Sequence, residues 1–189
     1  TWADAPDRDE AGTPNVVGAG APAAAMQALE GIGLKAIARH EAELTAHALE
    51  RLSHIKGLRV YGDADPQQAL NRLGVIAFNI ESQSHALAAA VLSTEFGIGV
   101  RNGCFCAHPY ITHLLGFTQD QVRRVRARMA AGDRSAMPGM VRVSFGAYNT
   151  IAEIDTLADA LEQITRREYR GKYTQDRASG EFSALGWLP

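Results

Sequence analysis

Residues 72–80, Arg72-Leu73-Gly74-Val75-Ile76-Ala77-Phe78-Asn79-Ile80, form a nearly continuous apolar run of strand length. Such a run is typical of a buried strand, which needs sheet neighbours and helices to cover it. Further strands are predicted at residues 58–61, 98–101 and 140–145, the last alternating in character. A helix is predicted from Pro22, which suits a first helical position, to residues 31–33. A longer amphipathic helix follows over residues 34–55, with Leu34, Ile37, Ala38, Leu44, Ala48, Leu52 and Ile55 on one stripe and Gly57 as its stop. Ser84 and Gly97 bracket another. Short helical segments are predicted at residues 110–115 and 119–131, and Thr150-Ile151-Ala152-Glu153 is a capping box opening a helix through Ile154, Leu157, Leu161 and Ile164. The irregular order of these elements puts a small sheet under helices in one α/β layer pair and argues against a doubly wound fold.

A chain of 189 residues has room for one domain with a complete core. Lys plus Arg is 19 against Asp plus Glu at 21, a net charge of −2, so no basic field points to nucleic acid or an anionic membrane. The weakly polar stretch at residues 16–29 falls short of a membrane span, and the opening residues do not resemble a secretory signal. A chain beginning at Thr1 rather than Met is expected to be a piece of something longer. Cys104 and Cys106 are the only cysteines, which suits a reducing cytoplasm better than a disulfide framework. Neither a dinucleotide fingerprint nor a Walker pattern occurs.

Residues 101–109, Arg101-Asn102-Gly103-Cys104-Phe105-Cys106-Ala107-His108-Pro109, hold the densest chemistry, expected on an irregular loop from Asn102 onward. Cationic neighbours favour the thiolate, the nucleophilic form of cysteine, while a buried thiol would merely pack like a small apolar group. Both readings stand on these residues alone. Cys104, Cys106 and His108 have the look of a zinc string, but structural zinc needs wider spacing and a second cluster. His40, His47 and His54 recur along one helix side, expected as a solvated flank, and Arg123, Arg124, Arg126 and Arg128 read as the charged outside of a helix whose inner face is Val122, Val125 and Met129. Arg142 sits inside an apolar strand, where a charge is costly unless paired or lining a cavity. A structural ion pair and recognition of a carboxylate by its planar fork both answer that cost.

Taken together, Glu10-Ala11-Gly12-Thr13-Pro14-Asn15, the Arg101 to Pro109 loop, and Val141-Arg142-Val143-Ser144 leading to Tyr148-Asn149-Thr150 resemble the C-terminal part of class V aminotransferase-fold enzymes, and within them the cysteine desulfurase and selenocysteine lyase group. The resemblance implies a mostly antiparallel sheet covered by helices, the C-terminal small domain of the fold type I architecture. Residues 1–20 would be an extended leading segment touching cofactor or dimer partner, 21–170 the small domain and 171–189 a polar tail. It also implies pyridoxal 5'-phosphate as cofactor, an amino-acid substrate and a homodimer. Cys106 matches the nucleophile that takes sulfur from cysteine as a persulfide and leaves alanine. Arg142 matches the arginine that clamps the substrate carboxylate, Arg101 a loop arginine near the substrate, and Thr13 a contact to the cofactor phosphate of the neighbouring subunit.

Asn102, Cys104 and Phe105 depart from the family's loop, which commonly has Thr or Ser at the first position and His at the other two. Lys35, Lys56 and Lys172 are the only lysines, and none follows the Ser-x-His pattern of the family's Schiff-base lysine. The chain is therefore expected to need the N-terminal portion of the enzyme, and to be inactive alone with no covalently held cofactor. The alternatives are a class V aminotransferase, epimerase or lyase without a thiol nucleophile, and a non-catalytic binding module.

Overall fold

The structure, a computed structural model, describes residues 3–9, 12–13, 15–81 and 83–186. Glu10, Ala11 and Pro14 of the sequence motifs lie outside the described residues. The chain divides into a unit of residues 1–39 and a unit of residues 40–189.

In the first unit, helix α1 spans Val16–Ile32, followed by the start of α2, Leu34–Ser53. α1 begins well before Pro22, contrary to expectation. Asn15 caps it, its side-chain Oδ1 accepting from the Gly18 N–H at 2.8 Å, and that local bond sets the start. Pro22 then lies inside the helix, where it leaves the Gly18 carbonyl without its usual donor. Extended backbone therefore does not reach residue 20.

The second unit is built on a four-stranded antiparallel sheet. Its strands are β1 Leu58–Tyr61, β2 Val75–Ile80, β3 Arg101–Gly103 and β4 Met140–Ser144, ordered β1-β2-β4-β3. One face is covered by α2, by α3 at His85–Phe96 and by α6 at Ile151–Thr165. Ile76, Phe78, Ile80, Val141 and Val143 of the sheet pack there against Leu44, Leu52, Val91, Leu92, Leu157 and Leu161. Each such side chain contributes roughly 1.5–3 kcal/mol on burial. The expected mostly antiparallel sheet under helices is what the chain forms.

The apolar run at 72–80 is narrower as a strand than its composition suggests. Only Val75–Ile80 pairs, and Val75, Ala77 and Asn79 are half-buried on the second face. Before it, Arg72 donates to the carbonyls of Asp63 and Val75, and the Gly74 N–H donates to Glu41 Oε1 at 2.5 Å. Those bonds divert the backbone from the ladder. β3 also falls later than expected, at residues 101–103 rather than 98–101.

Two other readings change. The histidine side of α2 is not simply solvated: His40 Nε2 meets the Asn149 carbonyl at 2.9 Å and His47 Nε2 meets Asp155 Oδ1 at 2.8 Å. Arg51 bonds Asp155 at 2.5 Å and Asp159 at 2.7 Å, so this flank fastens α2 to the polar side of α6. The tail contains a hairpin, β5 Tyr173–Gln175 with β6 Phe182–Ala184. Arg177 holds it to Asp133 at 2.8 Å, and Arg177 first, then Ser135 and Arg128, keep the Asp133 carboxyl far below the usual range. α4, His108–Leu114, and α5, Gln119–Ala130, complete the unit, with Val122, Val125 and Met129 facing a small cavity shared with His108, Pro109 and Met137. The arginines of α5 lie outward, as the pattern of the helix predicts.

Candidate functional site

The sheet has a second face, turned away from the covering helices. Strand alternation puts Arg142 and Met140 of β4 on it, with Ala77 and Asn79 of β2 and Arg101 and Gly103 of β3. A smaller apolar cluster of Cys104, Ile111 and Met140, joined by Phe105, Ala107, Tyr61 and Ala77, fills part of this side.

Arg142 and Arg101 are direct cross-strand partners, so two guanidinium groups share one face. Among the described residues neither makes an ion pair or a hydrogen bond, and the Arg142 Nε is buried without an acceptor. Asn79 Oδ1 is likewise buried without a donor, although its Nδ2 donates to the Gly139 carbonyl at 3.0 Å. A buried donor left unpaired costs about 1–3 kcal/mol. The structural ion pair open to Arg142 on sequence grounds is thus not formed within the described residues, and its fork is free for an anion. What it touches instead is aromatic: the Arg142 Cζ lies over the Phe105 ring, 5.0 Å from its centroid.

The two cysteines separate sharply. Cys104 is 5% exposed, its Sγ donating to the Pro138 carbonyl at 2.9 Å, and burial pushes its thiol pKa up. It is held as a neutral, packed thiol. Cys106, two residues on, is exposed. The chain between them turns through left-handed backbone at Phe105, φ 52°, and Cys106, φ 60°. For non-glycine residues such conformations cost on the order of 1–3 kcal/mol each and persist only where neighbours enforce them. Here the enforcement comes from Phe105 and Cys104 packing in the cluster on one side and α4 starting at His108 on the other.

Upstream, Gly103 at φ 104° and Gly139 are both required. A Cβ on Gly139 would stand 2.5 Å from the His85 ring and 2.7 Å from the Gly103 Cα, so β3 and the approach to β4 meet closely because residue 139 is glycine, whereas at Gly103 it is the positive φ that calls for glycine. His85 closes this corner, its Nε2 donating to the Met137 carbonyl at 3.1 Å and its Nδ1 meeting Asn102 Oδ1 at 3.0 Å. The bonding of His85 was not legible in the sequence, where it is only the residue after a helix cap. Cys106 also lines a cavity of about 220 Å³ with His85, His108, Arg134 and Glu181.

Of the residues singled out from sequence, Cys106, Arg142 and Arg101 are therefore gathered around one loop and one sheet face. Thr13 is exposed and belongs to the other unit. Lys35, Lys56 and Lys172 are exposed as well, and Lys56 and Lys172 belong neither to the open face nor to the cysteine loop. Groups suited to a substrate carboxylate and to a nucleophile are present, but the lysines do not fit the role of a cofactor anchor. Among the described residues no group of His, Cys, Asp and Glu is arranged to hold a metal, and no helix is long and apolar enough to cross a membrane.

The family model for aminotransferase class-V matches residues 1–157. A probable cysteine desulfurase of Halalkalibacterium halodurans is 38% identical over 171 residues, covering 90% of this chain and 35% of that protein. A cysteine desulfurase of Escherichia coli strain SE11 is 36% identical over 166 residues, 88% of this chain and 34% of that protein. Among solved structures, the apo cysteine desulfurase from Thermococcus onnurineus NA1 superposes with a TM-score of 0.65 at 30% identity, covering 88% of this chain and 35% of that one. The cysteine desulfurase CsdA from Escherichia coli, in an S-sulfonic acid form, gives 0.63 at 25% identity, covering 89% of this chain and 35% of that one. The chain thus spans about a third of the length of the relatives it matches. With the motif loop, the antiparallel sheet and the family model in agreement over most of its length, this chain belongs to the aminotransferase class-V family.

Proposed function

We propose that this chain is the C-terminal part of a pyridoxal-phosphate-dependent cysteine desulfurase, in which Cys106 receives sulfur from cysteine. The observation that carries the reading is the contact between Arg142 and Phe105. It sets a guanidinium with no counter-ion among the described residues beside the chain neighbour of an exposed cysteine. A carboxylate bound at one and a sulfur attacked at the other belong to the same small amino acid.

In this reading Arg142 grips the substrate carboxylate in its plane and Arg101 adds positive potential from the adjacent strand. Once deprotonated, the Cys106 Sγ attacks the substrate sulfur. A sulfur–sulfur bond forms, the carbon–sulfur bond breaks, and its electron pair leaves with carbon, which takes up a proton. The balance is cysteine plus Cys106 thiol giving alanine plus Cys106 persulfide. The cofactor, when bound, supplies the electron sink that labilises the substrate carbon. Cys104 takes no part, since its thiol is buried and donates to Pro138.

The protein is further proposed to work in the cytoplasm as a homodimer, with Thr13 reaching the cofactor phosphate of the neighbouring subunit and the rest of the enzyme supplying the lysine. Full-length Cys106→Ser is expected to keep the cofactor's absorbance and to lose release of alanine from cysteine. Undiminished alanine release would rule out the persulfide role and leave a class V reaction that needs no thiol.

A further inference from the structure

Arg142 must be held in place before any substrate arrives, yet the usual means are missing. Among the described residues it has no carboxylate partner, its Nε is buried without an acceptor, and its direct cross-strand neighbour is another arginine that repels it. The one specific side-chain contact of its guanidinium among the described residues is with Phe105, whose ring centroid is 5.0 Å from the guanidinium carbon. The ring is itself anchored, packed into the cluster of Cys104, Ile111 and Met140. Its backbone is turned into the left-handed region, which directs the chain from the cluster to Cys106 within one residue.

We propose that Phe105 is a positioning residue that sets the guanidinium of Arg142 for the substrate carboxylate and ties that setting to the Cys106 loop. The proposal rests on the desulfurase reading and names how its carboxylate site is built. An aromatic ring under the guanidinium carbon attracts the cation through its quadrupole and consumes no N–H. The terminal Nη donors of the fork stay available in the guanidinium plane, which an ion pair with a protein carboxylate would not allow. Because Phe105 and Cys106 are consecutive, displacing the ring displaces both the carboxylate clamp and the attacking sulfur.

The test uses the full-length holoenzyme with Phe105→Leu, Phe105→Met and Phe105→Tyr. The first two fill much of the ring's volume without its π face, and Phe105→Met serves if Phe105→Leu does not fold. In Phe105→Leu or Phe105→Met the KM for cysteine and the dissociation constant for alanine should rise together, by roughly 2- to 30-fold, the range that loss of a cation–π contact allows. The drop in kcat should be smaller than the rise in KM. Phe105→Tyr should restore wild-type values. The ring current gives a readout independent of turnover: the Arg142 Nε–Hε resonance should move in both non-aromatic variants and stay put in Phe105→Tyr.

Unchanged alanine affinity with an unmoved Nε resonance would overturn the role of Phe105 and leave the desulfurase reading intact. A fall in kcat alone, with KM unchanged, would also overturn it. A wild-type enzyme that binds alanine but forms none from cysteine would instead overturn the desulfurase reading, while the resonance and the alanine constants still decide the role of Phe105.

Discussion

Arg101 and Arg142 stand directly opposite each other across the β3–β4 ladder, two like charges on one face with no carboxylate between them among the described residues. Directly opposed like charges destabilise a sheet, and the unpaired Arg142 Nε adds its own cost. In the proposed desulfurase reading, an anionic substrate relieves both costs.

Removing the charge should therefore separate stability from binding. Arg142→Leu is expected to raise the thermal midpoint, by a stabilisation on the order of 1 kcal/mol, since it removes both the repulsion and the orphan donor. In the full-length enzyme Arg142→Ala should lose about 2 to 5 kcal/mol of carboxylate recognition, seen as a raised KM for cysteine. Arg142→Lys should recover only part of it, because an ammonium lacks the planar fork. Arg101→Ala, at an exposed position, should cost less. A clear drop in melting temperature for Arg142→Leu would show that the arginine is structural after all.

The two thiols should differ in chemistry as they do in setting. Iodoacetamide at neutral pH is expected to modify Cys106 while Cys104 stays intact, with Cys104 becoming reactive only on denaturation. Peptide mapping by mass spectrometry reads both sites in one sample. Labelling of Cys104 in the native protein would contradict its burial and its hydrogen bond to Pro138.

Acid should loosen the tail through Glu95. Burial alone would raise this carboxyl, but the N–H groups of Arg170 and Gly171, at 2.9 and 2.8 Å, and the Tyr173 hydroxyl, at 2.9 Å, outweigh it. Its pKa is held below the ordinary value, while burial and then Glu95 itself push Tyr173 up. With a lowered folded-state pKa, the stabilisation is fully present above the unfolded value of about 4.3 and is lost as pH falls through the folded one. Glu95→Gln should thus be less stable than the wild type at pH 7, with the gap closing as pH falls below about 4.3. Urea melts across that range would show it. A gap independent of pH would mean that the carboxylate charge is irrelevant.

What could be read directly from the chain was what short-range bonding decides. Ser84 caps α3 through Leu87 N–H and Gly97 ends it at φ 65°. Thr150 and Glu153 cap each other's backbone at the head of α6. These partners lie within a few residues, so their spacing in sequence is their spacing in space. The start of α1 was missed for a related reason: the Asn15 cap competes with the Pro22 signal, and the cap prevails.

The small sheet under helices was legible from the pattern of elements, while its antiparallel character and the candidates Cys106, Arg142 and Arg101 came from the resemblance carried by residues 101–109 and 141–150. Residue chemistry without the resemblance left Cys104 and Cys106 equivalent, and left Arg142 open between an ion pair and a free clamp. Tertiary structure separates the thiols through the Pro138 carbonyl and a left-handed pair of residues. It sets Arg142 against Phe105, opposite Arg101, and gives the tail a hairpin held by Glu95 and Asp133. Each of these depends on groups dozens of residues apart, and which of them meet is decided by how the sheet and helices pack, something no local pattern of residues encodes.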